Sequence, residues 1–223
     1  MTKKRLQSIA QASFWSGIVL FGWIVFWPEP YALAIAIPLV LPWVAVAMVI
    51  RFPDILSLGL DGRRGRGDLS GIFLIPCLAL GMRALLDFTF LDVWWLLLIV
   101  LVLITVPGLI LTRILPARPK HWSEWAVLTL ALAGYGYGAT VQFDTFPDHA
   151  PTQTYRATVA DKYVSQGKSW SYNFDLAPWG PDRSKSTVRV PGELYARIKP
   201  GMQVCATVHP GFIGLRWYRV DFC

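Results

Sequence analysis

Ionisable residues embedded in apolar sequence are the first candidates for chemistry, because burying a charge in lipid or in a core is costly. Arg83 lies in the apolar run Ile72 to Phe90, with Asp87 one helical turn later and Asp92 just beyond it. This spacing predicts an ion pair drawn from Arg83, Asp87 and Asp92, serving either a proton or solute path or a snorkelling arginine with a local carboxylate. Signatures of catalysis are missing. His121, His149 and His209 are scattered, no serine occupies a G-x-S-x-G elbow, and Asp144, Asp148 and His149 fall in a linker rather than a pocket. Cys77, Cys205 and Cys223 show neither C-x-x-C nor Cys/His spacing, so neither a metal nor another cofactor is expected. The chain reads as non-enzymatic.

The most charged run, "DGRRGRGDLSG" from Asp61 to Gly71, contains the adhesion tripeptide Arg66-Gly67-Asp68. It lacks the GxxxxGK[ST] pattern of a phosphate loop. Its basic residues suit a topogenic loop that touches anionic headgroups, each contributing about 1 kcal/mol near the surface.

The elements that must position these residues follow from composition. The chain is 54% hydrophobic and 16% charged, against about 25% charge in a soluble domain. Apolar segments at 9–27, 31–50, 72–90, 93–111 and 125–141 each approach the ~20 residues that cross a bilayer as helix. The first carries no small-residue cleavage site and is expected to be retained. Lys3, Lys4, Arg5, Arg51, Arg63, Arg64, Arg66, Arg113, Arg118 and Lys120 fall on one side of these five spans, and the connections "WPEPY" and "DFTFLD" carry none. The positive-inside rule then places the N-terminus in the cytoplasm and the C-terminal segment outside. Pro38, Pro42, Pro76 and Pro107 interrupt the spans and predict kinks. Gly134 and Gly138 in the fifth span have the small-xxx-small spacing of a close helix contact, with either another span or a partner protein as the neighbour.

The expected domains are a helical 1–142, a linker 143–154 and an extracytoplasmic β-domain 155–223. In the last, alternating runs at "YRATVADKYV", "SWSYNFDLAPW", "STVRV", "MQVCATVH" and "LRWYRVDF", with a short helix in "PGELYARIK", predict five strands. That order fits a small OB-like barrel, an SH3-like barrel being the alternative. Trp170, Tyr172 and Phe174 share one strand face, which reads as the barrel's own core or as a binding stripe, and Trp179 reads as an exposed turn aromatic. Together with Lys162, Lys168, Arg183 and Lys185, Trp170 and Trp179 form the candidate partner surface, suited to anionic headgroups, acidic glycans or an acidic protein face. An external location argues against nucleic acid.

The segment from Tyr155 to Val220, with "K-x-x-S-x-G-K", "APWGP" and "HPG…G…WYR", resembles the C-terminal domain of a group of uncharacterised bacterial polytopic inner-membrane proteins. The resemblance implies an inner-membrane location with a periplasmic domain. In that oxidising compartment a Cys205–Cys223 disulfide is open to the chain. Pairing the last two strands about Phe212 sets Cys205 opposite Val220, so the bond needs a bulge or a turn back of the terminus. The leading reading is an envelope membrane protein that binds a protein partner or envelope component in an assembly or accessory role. The alternatives are a small-solute transporter or channel using Arg83 and Asp87, and an immunity or sensor protein.

Overall fold

The computed structural model describes residues 3–58, 66–114, 122–146, 150–166 and 170–223. The chain divides into two units, Met1–Asp87 with Trp94–Phe143, and Phe88–Val93 with Asp144–Cys223.

The first unit is helical. Helices α1 (Lys3–Phe26), α2 (Tyr31–Arg51), α3 (Ser70–Asp87) and α4 (Val93–Ile114) contain four stretches long and apolar enough to cross a membrane. Helix α5 (Trp122–Thr145) matches them in length, but Glu124, Gln142 and Asp144 make it more polar. The four prolines expected to interrupt these segments all lie inside helices. Small residues set the packing. A Cβ on Gly71 would fall 2.5 Å from the Ser13 carbonyl oxygen of α1, and one on Gly81 would fall 2.7 Å from the Gly134 backbone of α5. Helix α3 therefore touches α1 near its start and α5 further along, with backbones at a separation only glycine permits.

Part of the charged loop is built into this unit. A two-residue parallel pair, β1 (Leu56–Ser57) with β2 (Gly67–Asp68), aligns Leu56 with Gly67. The Asp68 carboxylate accepts a bond from the Ser70 amide at 2.8 Å, satisfying a donor that the first turn of α3 leaves open. Gly67 is buried against Ile9 and Leu56. Two members of the adhesion-like tripeptide thus close a helix start. The remainder of the loop, residues 59–65, lies outside the described residues.

The second unit is a nearly closed, barrel-like antiparallel sheet of six strands. Strands β3 (Thr89–Phe90), β4 (Gln153–Gln166), β5 (Trp170–Leu176), β6 (Ser186–Val190), β7 (Gln203–His209) and β8 (Trp217–Asp221) are ordered β3-β8-β7-β4-β5-β6. A short helix, α6 (Gly192–Arg197), separates β6 from β7. Strand β4 serves both halves, pairing with β7 through residues 153–158 and with β5 from Val159 onward. The register slips between Val159 and Asp161, and such a bulge bends the strand and lets the sheet curl. Inward residues alternate along each strand. Ala157, Val159, Phe174, Leu176, Val188, Val190, Val204, Ala206, Val208, Tyr218 and Val220 join Leu194 and Ile198, at and after α6, in one core. The stripe on β5 accordingly points inward, at least at Phe174.

Three details differ from the sequence expectation. Thr89 and Phe90, expected at the end of the third apolar run, instead form β3, which pairs Thr89 with Tyr218 and Phe90 with Trp217. Helix α5 runs through Asp144 to Thr145, where a linker was expected. Cys205 faces Asp221 rather than Val220. Cys223 then turns back across two residues, and Cys205 and Cys223 are disulfide-bonded with Cα atoms 4.9 Å apart. Cys77 is a buried free thiol.

Candidate functional site

Tyr31, Arg83, Asp87 and Gln142 of the helical unit meet where four helices end or begin. From α3, one turn before its last residue, Arg83 Nε donates to Asp87 Oδ2 at 2.7 Å and Nη2 donates to Oδ1 at 2.5 Å. Nη1 donates to the Val25 carbonyl at 3.1 Å. Val25 belongs to the last turn of α1, where helix geometry leaves carbonyls without an internal donor. Tyr31, the first residue of α2, donates to Asp87 Oδ2 at 2.9 Å. Gln142 of α5 closes the chain by donating Nε2 to the Tyr31 hydroxyl at 3.1 Å. Both Asp87 oxygens and all three Arg83 nitrogens are engaged within the protein. Chemically this is a clasp that joins four helix ends. A second tie joins α2 to α5, where Trp43 Nε1 donates to the Tyr135 hydroxyl at 2.6 Å and that hydroxyl donates to the Leu39 carbonyl at 2.9 Å.

Asp92 does not belong to this clasp. Pairing of β3 with β8 draws residues 88–92 into the second unit, where Asp92 accepts from Arg216 Nε at 2.9 Å and Nη2 at 2.8 Å. These bonds from Arg216 hold the Asp92 carboxyl below its ordinary range.

Gly138 belongs to a tight contact with α3, because a Cβ there would lie 2.7 Å from the backbone C and O of Leu80. Gly134 lies against the Cys77 carbonyl in the same way, at 2.9 Å. Of the two neighbours left open by the spacing, the structure supplies the one within the same chain.

The candidate partner surface comes apart. Trp179 is buried rather than exposed. A bridge between Trp179 and Asp182 folds the "APWGP" turn back on itself, and the indole packs against the rings of Tyr155 and Tyr218. Lys162 is also committed inward. Its Nζ donates to the carbonyls of Tyr195 and Ile198 at 2.9 and 2.8 Å, at the end of α6 where open carbonyls and the helix dipole favour a cation. Lys168 and the side chain of Trp170 lie outside the described residues. Arg183 and Lys185 remain exposed.

Asp144, read from sequence as a linker residue, is fully buried. Its Oδ1 accepts from the Ile213 amide at 2.9 Å, and its own carbonyl accepts from the Phe212 amide at 2.9 Å. Gly211, at φ +74°, brings its backbone against the carboxylate where a Cβ would collide. The β7–β8 loop is therefore folded around the end of α5. Tyr31, Gln142 and Asp144 carried one signal in the sequence, as polar groups at the margins of apolar runs, but nothing local names their partners.

Compared with known proteins, the chain matches no family model, no curated protein and no solved structure.

Proposed function

We propose that this is a non-enzymatic protein of the bacterial inner membrane, of the polytopic group its C-terminal segment resembles. Five spans anchor an extracytoplasmic OB-like domain that binds an acidic protein partner in an accessory role. The observation that carries the reading is the β3–β8 pairing. It ties the residues just before α4 into the same body as the residues that end α5. A chain that leaves that body and re-enters it makes an even number of crossings. If α4, the apolar one, crosses, α5 returns despite its polar residues, and the total is five. Orientation follows from the ten basic residues on the opposite side. The strand order β6-β5-β4-β7-β8 with a helix between β6 and β7 supports the OB-like assignment.

The β-domain carries ten Lys and Arg against five Asp and Glu from Pro151 to Cys223. Arg183, Lys185 and Arg189 are exposed on and before β6, the last strand in the order, so an acidic protein face fits there best. Affinity capture from mild detergent tests this, comparing wild type with an Arg183→Glu, Lys185→Glu variant. The expected result is at least one partner retained by wild type and lost by the variant. Identical captured sets from two equally folded proteins would contradict it.

A further inference from the structure

We infer that the tip of the β7–β8 loop, Phe212 and Ile213, is immersed in the headgroup and upper acyl region of the bilayer and acts as a lipid anchor for the β-domain. The inference rests on the five-span reading above. The loop exposes two large apolar side chains side by side, Phe212 at 58% and Ile213 at 44%. Two independent tethers fix its level. At one end, Phe212 and Ile213 donate their amides to Asp144, the penultimate residue of α5, with exposed Phe143 and Phe146 on either side of it in sequence. At the other end, Arg216 is held in a two-pronged ion pair by Asp92, which directly precedes α4 and its exposed Trp94 and Trp95. Trp and Tyr at span ends mark the membrane–water interface, a role that Trp94 and Trp95 fill at the start of α4. A loop clipped to two such ends, within hydrogen-bond reach of one and an ion pair of the other, shares their depth. At that depth Phe and Ile side chains are stabilised by leaving water, as on interfacial elements that sink about 5–10 Å into the headgroup boundary. The polar backbone is compatible with this depth, since the amides of residues 212 and 213 are already bonded.

Site-directed spin labelling in lipid nanodiscs tests the inference. Phe212→Cys and Ile213→Cys are labelled separately in a Cys77→Ala background, and relaxation by dissolved oxygen is compared with relaxation by a water-soluble nickel chelate. Met202→Cys serves as the aqueous control. Met202 sits just before β7, about 20 Å along the strand from the loop at ~3.3 Å per residue. Leu130→Cys, on an exposed position of α5, reports the span itself. The expected result is a loss of nickel relaxation and a gain of oxygen relaxation at 212 and 213 relative to 202. If 212 and 213 behave like 202 while 130 is lipid-exposed, the anchor is overturned and the span stands. If 130 is aqueous, the five-span reading falls and the anchor with it. Protection of 212 and 213 from both reagents would assign the patch to a protein neighbour and overturn the lipid assignment.

Discussion

Replacing Gly138 by leucine is expected to destabilise the helical unit by about 2–3 kcal/mol, the upper part of the overpacking range. For a chain of this length that is roughly 4–12 °C in the melting temperature, read in mild detergent. A Cβ alone already meets the backbone of Leu80 at 2.7 Å, and backbone atoms cannot rotate out of the way as a side-chain tip can. Leucine also removes glycine's entropic penalty of about 1 kcal/mol in a helix interior, which works against the effect. Gly22 of α1 isolates that opposing contribution, because nothing lies within 4 Å of its Cβ position. Gly22→Leu is therefore expected to leave the melting temperature unchanged or slightly raised. Equal behaviour of the two variants would show that α3 and α5 do not hold this contact.

The Arg83 clasp carries the second large effect. The two side chains are 18% and 15% exposed, so Asp87→Ala strands a guanidinium that has little access to water and removes the carboxylate that accepts from the Tyr31 hydroxyl. Breaking one partner of a buried pair costs about 3–5 kcal/mol, whereas exchanging both partners for apolar groups of similar volume is often neutral. Asp87→Ala should thus be much less stable than wild type, and Arg83→Met with Asp87→Leu should regain most of the loss. The double variant also removes the bond from Arg83 to the Val25 carbonyl, so recovery is expected to be incomplete. A double variant as unstable as the single one would indicate that the charge pair itself, rather than the stranded arginine, dominates.

The legibility of this chain divides along the range of its interactions. The first four apolar spans, the prolines within them and the alternating strands were readable because each is a periodic or compositional property of contiguous residues. The Arg83–Asp87 pair was readable for the same reason, one helical turn being a local distance. What stayed hidden depends on partners remote in sequence. Strand β3 is two residues long and exists only because Tyr218 and Trp217 pair with it, so no period marks it, and Asp92 was assigned to the wrong arginine as a result. Trp179 looked like an exposed turn aromatic, yet the bridge to Asp182 folds it over Tyr218. Lys162 looked like a free surface charge until α6 ended beneath it. Asp144 required amides about 70 positions away, at 213 and 215, to become a buried anchor. Arg183 and Lys185 are exposed, as their loop position implied, because exposure demands no partner.

The disulfide belongs between these cases. Counting strand register from the turn near Phe212 came within one residue of the observed alignment, Cys205 with Asp221, because antiparallel pairing converts turn position into register. The turn back of Phe222 and Cys223 was not encoded in that count. The bond links Cys223 to β7 at a separation of 18 residues, which pins the end of the last strand.

On the proposed five-span topology the β-domain lies on the face opposite the basic loops, and a reporter fused after Cys223 reads that side of the membrane. Activity is expected from a reporter that functions only after export, and silence from one that functions only in the cytoplasm. The reverse pattern would place the β-domain with the basic loops and contradict the five-span topology.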